Sequence, residues 1–168
     1  MPPVGQCADY TAGVRVAHCI TGVAAHGNRN DRFPIYEPRN YEMIKRWREQ
    51  MESYGGTHDI FLALDLRIWA HRSDQAAQKR QAAGDSAVQR VSNDTLANML
   101  TALRPIRFEP YEAPPICSGE RSCMCTSLAY PGWWEQMAKN AACMRLVEQH
   151  EAATGLKYDF VTKVPVSY

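Results

Sequence analysis

Four short apolar runs, each separated from the next by a stretch with helical spacing, constrain the fold of this chain more than any other feature. The runs are rich in β-branched residues and predict strands at 14–20, 58–65, 106–109 and 158–164. Because a helix between two strands returns the chain to the same edge of a sheet, the alternation predicts parallel pairing with right-handed crossovers. We therefore predict an α/β fold: a doubly wound, mostly parallel sheet of about four strands with helices on both faces.

Three helices are predicted between these strands. The first is capped by Asn40 and ends at Gly55, and the second begins at the capping groups of residues 92–94 and ends before Pro105. The third ends at Gly155 and is the longest. Its apolar residues recur at helical spacing and predict one core-facing stripe, which comprises Trp134, Met137, Ala141, Met144 and Val147.

Length and composition indicate one domain over residues 1–168, since 45% of the 168 residues are hydrophobic and can form a core. A formal charge of +1 excludes a global field that would attract nucleic acid, and no apolar run is long enough to cross a membrane. Residues 73–91 are predicted to form a surface insertion or helix. Residues 110–131 are predicted to be a loop rich in proline and cysteine.

The six cysteines divide into two kinds of environment. Cys19 and Cys143 fall inside apolar strand and helix patterns and are predicted to be buried, hydrophobe-like thiols. Cys117, Cys123 and Cys125 lie in the polar loop, where their spacings of five and one residues favour a disulfide or free thiols over zinc. Oxidation of that loop would indicate a secretory compartment.

Candidate binding residues follow from the rule that ligands lie beyond the carboxyl ends of parallel strands. Thr21 and Gly22 end the first predicted strand, where a hydroxyl beside a tight turn suits a nucleotide or phosphate. A plain turn is the alternative, because the full G-x-G-x-x-G pattern is missing. Asp65 ends the second strand and could hold a ribose hydroxyl or a metal-bound water, or be a solvated cap.

Basic residues supply the remaining binding candidates. Arg29, with His26 and Arg32, lies in the loop after the first strand and matches an anionic diphosphate by charge. Lys139 is placed on the polar flank of the last helix, where it could reach a phosphate or merely favour solubility. No nucleophile elbow or His-Glu-x-x-His pattern occurs, so no catalytic residue is predicted.

Several segments resemble the amino-terminal half of glycosyltransferase-like proteins, whose nucleotide-diphospho-sugar fold is Rossmann-like and of the GT-A type. The resemblance implies a nucleotide-sugar donor, a divalent cation such as Mn²⁺ or Mg²⁺, and a phosphate contact from Lys163. It also implies a secretory or Golgi location, in place of the cytoplasm. The similar segments are RVAHCITG (15–22), DIFLAL (59–64), QMAKNAAC (136–143), Glu151 and GLKYDFV (155–161).

The chain departs from this family at the end of its last strand. There the family has an Arg-x-Arg-x-Asp-like segment whose acid binds the donor diphosphate and its cation. Lys163 takes the place of the first basic residue, and residues 164–167 supply neither the second base nor the acid. We therefore expect a truncated or catalytically degenerate nucleotide-sugar-binding half, which lacks a carboxyl-terminal half or a protein partner and, if active, is a glycosyltransferase.

The alternative is a noncatalytic α/β domain that binds another protein. In this interpretation Trp133, Trp134 and the proline-rich loop form the contact surface. A nucleotide-binding oxidoreductase is less favoured than either, because the glycine fingerprint is missing.

Overall fold

The computed structural model describes residues 13–26, 35–69, 89–111 and 131–165. Within these ranges the chain forms five strands and three helices. In chain order they are β1 (Arg15–His26), α1 (Pro38–Ser53), β2 (Thr57–Trp69), β3 (Gln89–Arg90), α2 (Asn93–Leu103), β4 (Arg107–Pro110), α3 (Pro131–Thr154) and β5 (Phe160–Pro165).

The four main strands form a parallel sheet in the order β4-β2-β1-β5. The two-residue strand β3 pairs antiparallel with β2, on the edge of β2 that also carries β4. Starting from β1, the chain therefore builds the sheet outward through β2 to β4 and then crosses over to β5 on the other side of β1. This arrangement is Rossmann-like and confirms the predicted doubly wound, mostly parallel sheet.

Helices cover both faces of the sheet, as predicted. On the face covered by α1 and α2, which we call the α1 face, the core contains Ile20 of β1 and Ile60, Leu62 and Leu64 of β2, with Met99 and Leu103 of α2. The opposite, α3 face has a separate core. Its buried members are Ala17, Cys19, Phe61, Ala63, Ala142, Cys143, Leu146 and Val147.

Strands β1 and β2 are longer than their apolar runs predict. The predicted turn at Thr21–Gly22 is wrong, because the ladder continues with Gly22 opposite Leu64 and, after a register shift, Ala25 opposite Ile68. Continued pairing keeps the backbone groups of both strands hydrogen-bonded. Gly22 has a φ of 149°, which favours glycine over any other residue at this position.

The core-facing stripe of α3 also differs from the prediction. Of the predicted stripe, Val147 is buried as expected, but Met137 and Met144 are 47% and 39% exposed, so those two positions were wrong. A helix with scattered apolar residues offers two neighbouring stripes, and the one with smaller side chains allows closer approach to Ala17 and Ala63. The buried residues of α3 are Lys139, Ala142, Cys143, Leu146 and Val147.

The ends of the shorter helices follow ordinary capping rules. Ser92 caps α2 by accepting a hydrogen bond from the Thr95 backbone N–H at 3.2 Å, which confirms the predicted start of that helix. Its last turn ends at Arg104 in the left-handed conformation. Helix α1 begins at Pro38, before the predicted cap at Asn40, because the fixed φ of proline suits the first helical turn.

Some predictions fall on residues outside the described ranges. These are Arg29, the greater part of the 73–91 insertion, and residues 112–130 of the loop with its three cysteines. Among the described helices, none combines the length and apolar character required to cross a bilayer.

Candidate ligand-binding site

The crossover from β4 to β5 creates a switch point between β1 and β5, and in sheets of this kind ligands bind there at the carboxyl ends. Strand β5 ends at Pro165, which lies opposite Thr21, and β4 ends at Pro110, which lies opposite Leu64. We call this level, marked by Thr21, Leu64, Pro110 and Pro165, the carboxyl rim. Beyond it β1 and β2 continue as a pair.

Thr21 connects the carboxyl rim to α3. Its side chain is fully buried, and its hydroxyl donates a hydrogen bond to Asn140 Oδ1 at 2.9 Å. Further along α3, Cys143 reaches Cys19. The helix therefore runs antiparallel to the strands, and its early turns lie at the rim.

Two buried charges lie at the same level on the α3 face. Asp65 is fully buried and follows Ala63 by two residues in β2, so its side chain points to the same face. Lys139 is 2% exposed and precedes Cys143 by one helical turn, which places it on the sheet-facing stripe. A buried charge is costly unless it is compensated, and both side chains have interaction partners.

Four of the six predicted binding residues are thus close to the carboxyl rim. Thr21 and Gly22 lie inside β1, and Asp65 lies inside β2. Lys139 faces the sheet, whereas the sequence predicted it on the polar flank of α3. Lys163 is exposed on β5 opposite Cys19, two residue pairs below the rim position of Thr21.

A disulfide bond joins Cys19 of β1 to Cys143 of α3, with a Cα–Cα distance of 5.8 Å. The predicted burial of both residues is correct, since they are 4% and 0% exposed, but the prediction of thiols is wrong. The sequence gives no indication of this pairing, because 124 residues separate the two cysteines. It arises because the crossover lays α3 directly over β1.

The amino-terminal half of the sheet contains a hydrogen-bond chain on the α1 face. The carbonyl of Gly55 can only accept, so His58 Nε2 donates to it at 3.3 Å, and His58 Nδ1 must accept. His18 Nε2 donates to that atom at 2.8 Å, and His18 Nδ1 accepts from the Thr162 hydroxyl at 2.6 Å. The His18 ring also packs edge-on against Trp47, at 4.6 Å between ring centroids.

A second polar cluster joins the α3–β5 connection to the α3 face. The hydroxyl of Tyr158 donates to Asp59 Oδ2 at 2.7 Å, and the Arg15 guanidinium lies 3.4 Å from the same oxygen. Burial, followed by the Asp59 carboxylate, raises the pKa of Tyr158 well above its usual range. Glu151 accepts from Lys157 and from the Tyr158 backbone N–H, and both hydrogen bonds lower the pKa of Glu151.

This cluster lies at the opposite end of the strands from the carboxyl rim. Asp59 precedes Phe61 by two residues in β2, and the Phe61 ring packs against Tyr158 and His150. We therefore assign it to holding the last helix and strand together, and not to ligand binding.

The described residues do not by themselves fit a metal centre. No group of three or more histidine, cysteine or acidic side chains converges within the ranges 13–26, 35–69, 89–111 and 131–165. At the rim Asp65 supplies a single carboxylate, whereas Mg²⁺ usually keeps several waters and substrate phosphates in addition to one or two carboxylates. The predicted Mn²⁺ or Mg²⁺ would therefore need ligands in addition to Asp65, such as the phosphates of the donor.

Sequence reasoning missed the contacts that organise both ends of the sheet. Asn140 gave no sign of bonding to Thr21, since 119 residues separate them. His18 and His58 carried a usable signal, because each sits in a strand pattern at a position that parallel pairing buries. Two buried imidazoles in neighbouring strands predict a hydrogen bond once the register is known.

Comparison with known protein families, with curated proteins and with solved structures gave no match to this chain. The glycosyltransferase-like resemblance therefore stays a prediction that rests on the short segments quoted above. The structure contributes the Rossmann-like strand order and the set of side chains at the carboxyl rim.

Proposed function

We propose that this chain is the nucleotide-sugar-binding domain of a glycosyltransferase-like protein, and that it holds its ligand at the carboxyl rim. The observation that supports the proposal is that Thr21, Asp65, Lys139 and Asn140 lie on one face of the sheet, beside the switch point between β1 and β5. Doubly wound sheets bind nucleotides at this position.

Each rim residue has a role that its chemistry supports. The Asp65 carboxylate would accept hydrogen bonds from a ribose hydroxyl, and the Lys139 ammonium would neutralise part of a diphosphate. The Thr21–Asn140 hydrogen bond keeps β1 and α3 at a fixed distance around the ligand.

Burial of these groups sets a condition on binding. Asp65 is fully buried and solvent reaches only 2% of Lys139, so the ligand must open access to the Lys139 ammonium. Binding at this site should therefore change the environment of α3 measurably. A ligand that bound elsewhere on the surface would leave α3 unchanged.

The direct test is titration with UDP-glucose, UDP and pyrophosphate, each with and without Mn²⁺. A ligand present at about 100 times its dissociation constant stabilises the folded state by roughly 2.7 kcal/mol, which raises the thermal midpoint measurably. UDP binding without pyrophosphate binding would indicate nucleotide recognition. An unchanged midpoint with all three probes at millimolar concentration would contradict the proposal.

Two substitutions locate the binding site. Lys139→Met removes the ammonium and keeps the length of the side chain, so we expect at least about a tenfold loss of UDP affinity, the size of one charge-assisted hydrogen bond. The matched control is Lys157→Met, at the far end of α3, where Lys157 pairs with Glu151. Calorimetry should show UDP affinity unchanged in this control.

An exposed apolar edge favours a second candidate, the noncatalytic interaction domain. Phe160 and Val161 of β5 are 61% and 40% exposed, and β5 is the outermost strand of the described sheet. Exposed apolar side chains on a sheet edge favour association. The side chains of Trp133 and Trp134, the residues originally predicted for this role, lie outside the described part.

Light scattering after size exclusion tests this candidate. If the β5 edge associates with a second copy, the wild-type mass should exceed that of the monomer and Phe160→Ser should lower it. Tyr54→Ser is the matched control, since Tyr54 is 60% exposed at the end of α1, away from β5. A monomeric wild type would leave the second candidate without support.

A further inference from the structure

The Cys19–Cys143 disulfide lies directly beneath the carboxyl rim. Cys19 precedes Thr21 by two residues on the same face of β1, and Cys143 follows Asn140 and Lys139 by three and four residues in α3. The covalent bond and the Thr21–Asn140 hydrogen bond are therefore successive links between the same strand and the same helix.

We propose that this disulfide is a positioning device: only the oxidised chain holds Lys139 and Asn140 against β1, and the protein therefore acquires its binding-competent form in an oxidising compartment. The part that concerns ligand affinity rests on the proposed function. The part that concerns the disulfide and the position of α3 stands without it.

The packing of α3 explains why a covalent bond matters here. At the level of Thr21 the sheet presents Ala63 to α3, where Ala142 belongs to the same core, and small side chains bury little apolar area. The larger contacts of Phe61 and Leu146 lie nearer the amino ends of the strands.

The unfolded chain is constrained by the same bond. The two sulfurs are 124 residues apart, so oxidation closes a loop over most of the chain, and loops of this size give a large entropic stabilisation. Buried disulfides persist in oxidising compartments such as the secretory pathway and the bacterial periplasm, and are rare in the cytosol.

The redox step is a thiol–disulfide exchange. The two thiols of Cys19 and Cys143 lose two protons and two electrons to glutathione disulfide, which becomes two glutathione thiols as the new S–S bond forms. Because the cysteines are 4% and 0% exposed, exchange must take place before α3 docks. In the reduced chain the Cys143 thiol could donate to the Phe61 carbonyl oxygen, which lies 3.7 Å from Sγ.

Peptide mapping tests the bond itself. Protein secreted into the bacterial periplasm is alkylated and digested with trypsin without reductant. We expect a cross-linked pair of peptides, VAHCITGVAAHGNR (16–29) with NAACMR (140–145). Alkylated Cys19 and Cys143 in folded, periplasmic protein would overturn the proposal.

Protein that is reduced with dithiothreitol in urea and refolded in its presence tests the positioning role, because the buried disulfide is protected from reductant in the folded state. Dithiothreitol should lower the thermal midpoint by roughly 10 °C or more, as expected for a loop of this size in a domain of this length. It should also speed amide hydrogen exchange in residues 137–143 of α3. The matched control is the double variant Cys19→Ala/Cys143→Ala, in which dithiothreitol should change neither quantity, so that the other four cysteines are excluded as the cause.

Ligand binding separates this proposal from the proposed function. UDP affinity should fall at least about tenfold on reduction, since Lys139 and Asn140 lose their position. Equal affinity in both redox states, with equal exchange in α3, would refute the positioning role and leave the proposed function intact. No UDP binding in either state would remove the proposed function, and the exchange and midpoint measurements would still decide the role of the disulfide.

Discussion

His18 lies in a hydrogen-bond chain that crosses three strands, from Thr162 in β5 through β1 to His58 in β2. Burial lowers the pKa of His18 to about 4, and the neighbouring His58 adds to this effect while Asp59 opposes it. A neutral His18 ring has one nitrogen that donates to His58 and one that accepts from Thr162, whereas both nitrogens of the protonated ring are donors. The hydrogen bonds of the His18 ring therefore depend on pH.

We predict that His18 makes stability fall in mild acid. The unfolded chain takes up this proton near pH 6.5 and the folded chain near pH 4, so the contribution is complete above pH 6.5 and is lost as the pH falls through about 4. The shift corresponds to at most roughly 3 kcal/mol. Urea unfolding measured between about pH 7 and pH 4 gives the slope.

The control for this prediction is His18→Gln, which hydrogen-bonds but does not titrate. The variant should lose the part of the pH slope that His18 contributes, while the carboxylates act equally in both proteins. Identical slopes in the two proteins would show that His18 is not the group responsible.

At the residue scale the sequence identified candidate binding residues better than it predicted whether their side chains are buried. Thr21, Asp65 and Lys139 were identified from strand ends and charge, and the structure places them near one another. Their burial was not predicted, because Thr21 and Asp65 were placed at strand ends and Lys139 on a solvated flank. Burial depends on how far a strand ladder continues and on which stripe a helix presents, and neither is a local property.

The connection between α3 and β5 is fixed mainly by Tyr158 and its partners. The Tyr158 hydroxyl donates to Asp59 in β2, and Arg15 and Asp159 exchange backbone and side-chain hydrogen bonds at the start of β1. These contacts set the register at which β5 joins the sheet, and so the position of its exposed edge.

We predict that Tyr158→Phe destabilises the protein by about 1–2 kcal/mol, because the half-buried Asp59 carboxylate loses a hydrogen bond. Tyr54→Phe is the control, since Tyr54 is exposed and its hydroxyl accepts a long, 3.3 Å hydrogen bond from Gln50. That variant should stay within about 0.5 kcal/mol of wild type. Equal urea midpoints for both variants would contradict the assigned role of Tyr158.

At the element scale the periodicity of the sequence predicted the main strands and all three helices, and the capping group Ser92 marked one boundary correctly. It missed the extensions of β1 and β2 and the short strand β3. Residues 21–26 contain two alanines and a glycine and have weak strand preference alone. They form a strand because β2 pairs with them as far as His26, across a register shift between Val23 and Ala25.

The molecule has two cores that share the central strands. Ile20 and Ile60 face α1 and α2, while Cys19 and Phe61, their neighbours in sequence, face α3. Disruption of β1 or β2 therefore removes contacts from both cores at once. This arrangement favours a single cooperative unit.

We predict one unfolding transition for the oxidised protein. Far-UV circular dichroism, which reports all helices, and tryptophan fluorescence should give the same urea midpoint and the same dependence on denaturant. Separate midpoints would show that the α1 and α3 layers unfold independently. That result would contradict a single cooperative unit built on β1 and β2.

The sequence by itself determined the α/β class, the order of its main elements and the types of residue that could bind a ligand, because spacing and composition act locally along the chain. Tertiary structure alone decided that Cys19 meets Cys143, that Thr21 meets Asn140 and that Lys139 faces the sheet. These contacts join residues more than a hundred positions apart, or depend on which helix stripe packs. They follow from a single event, the crossover that lays α3 over β1.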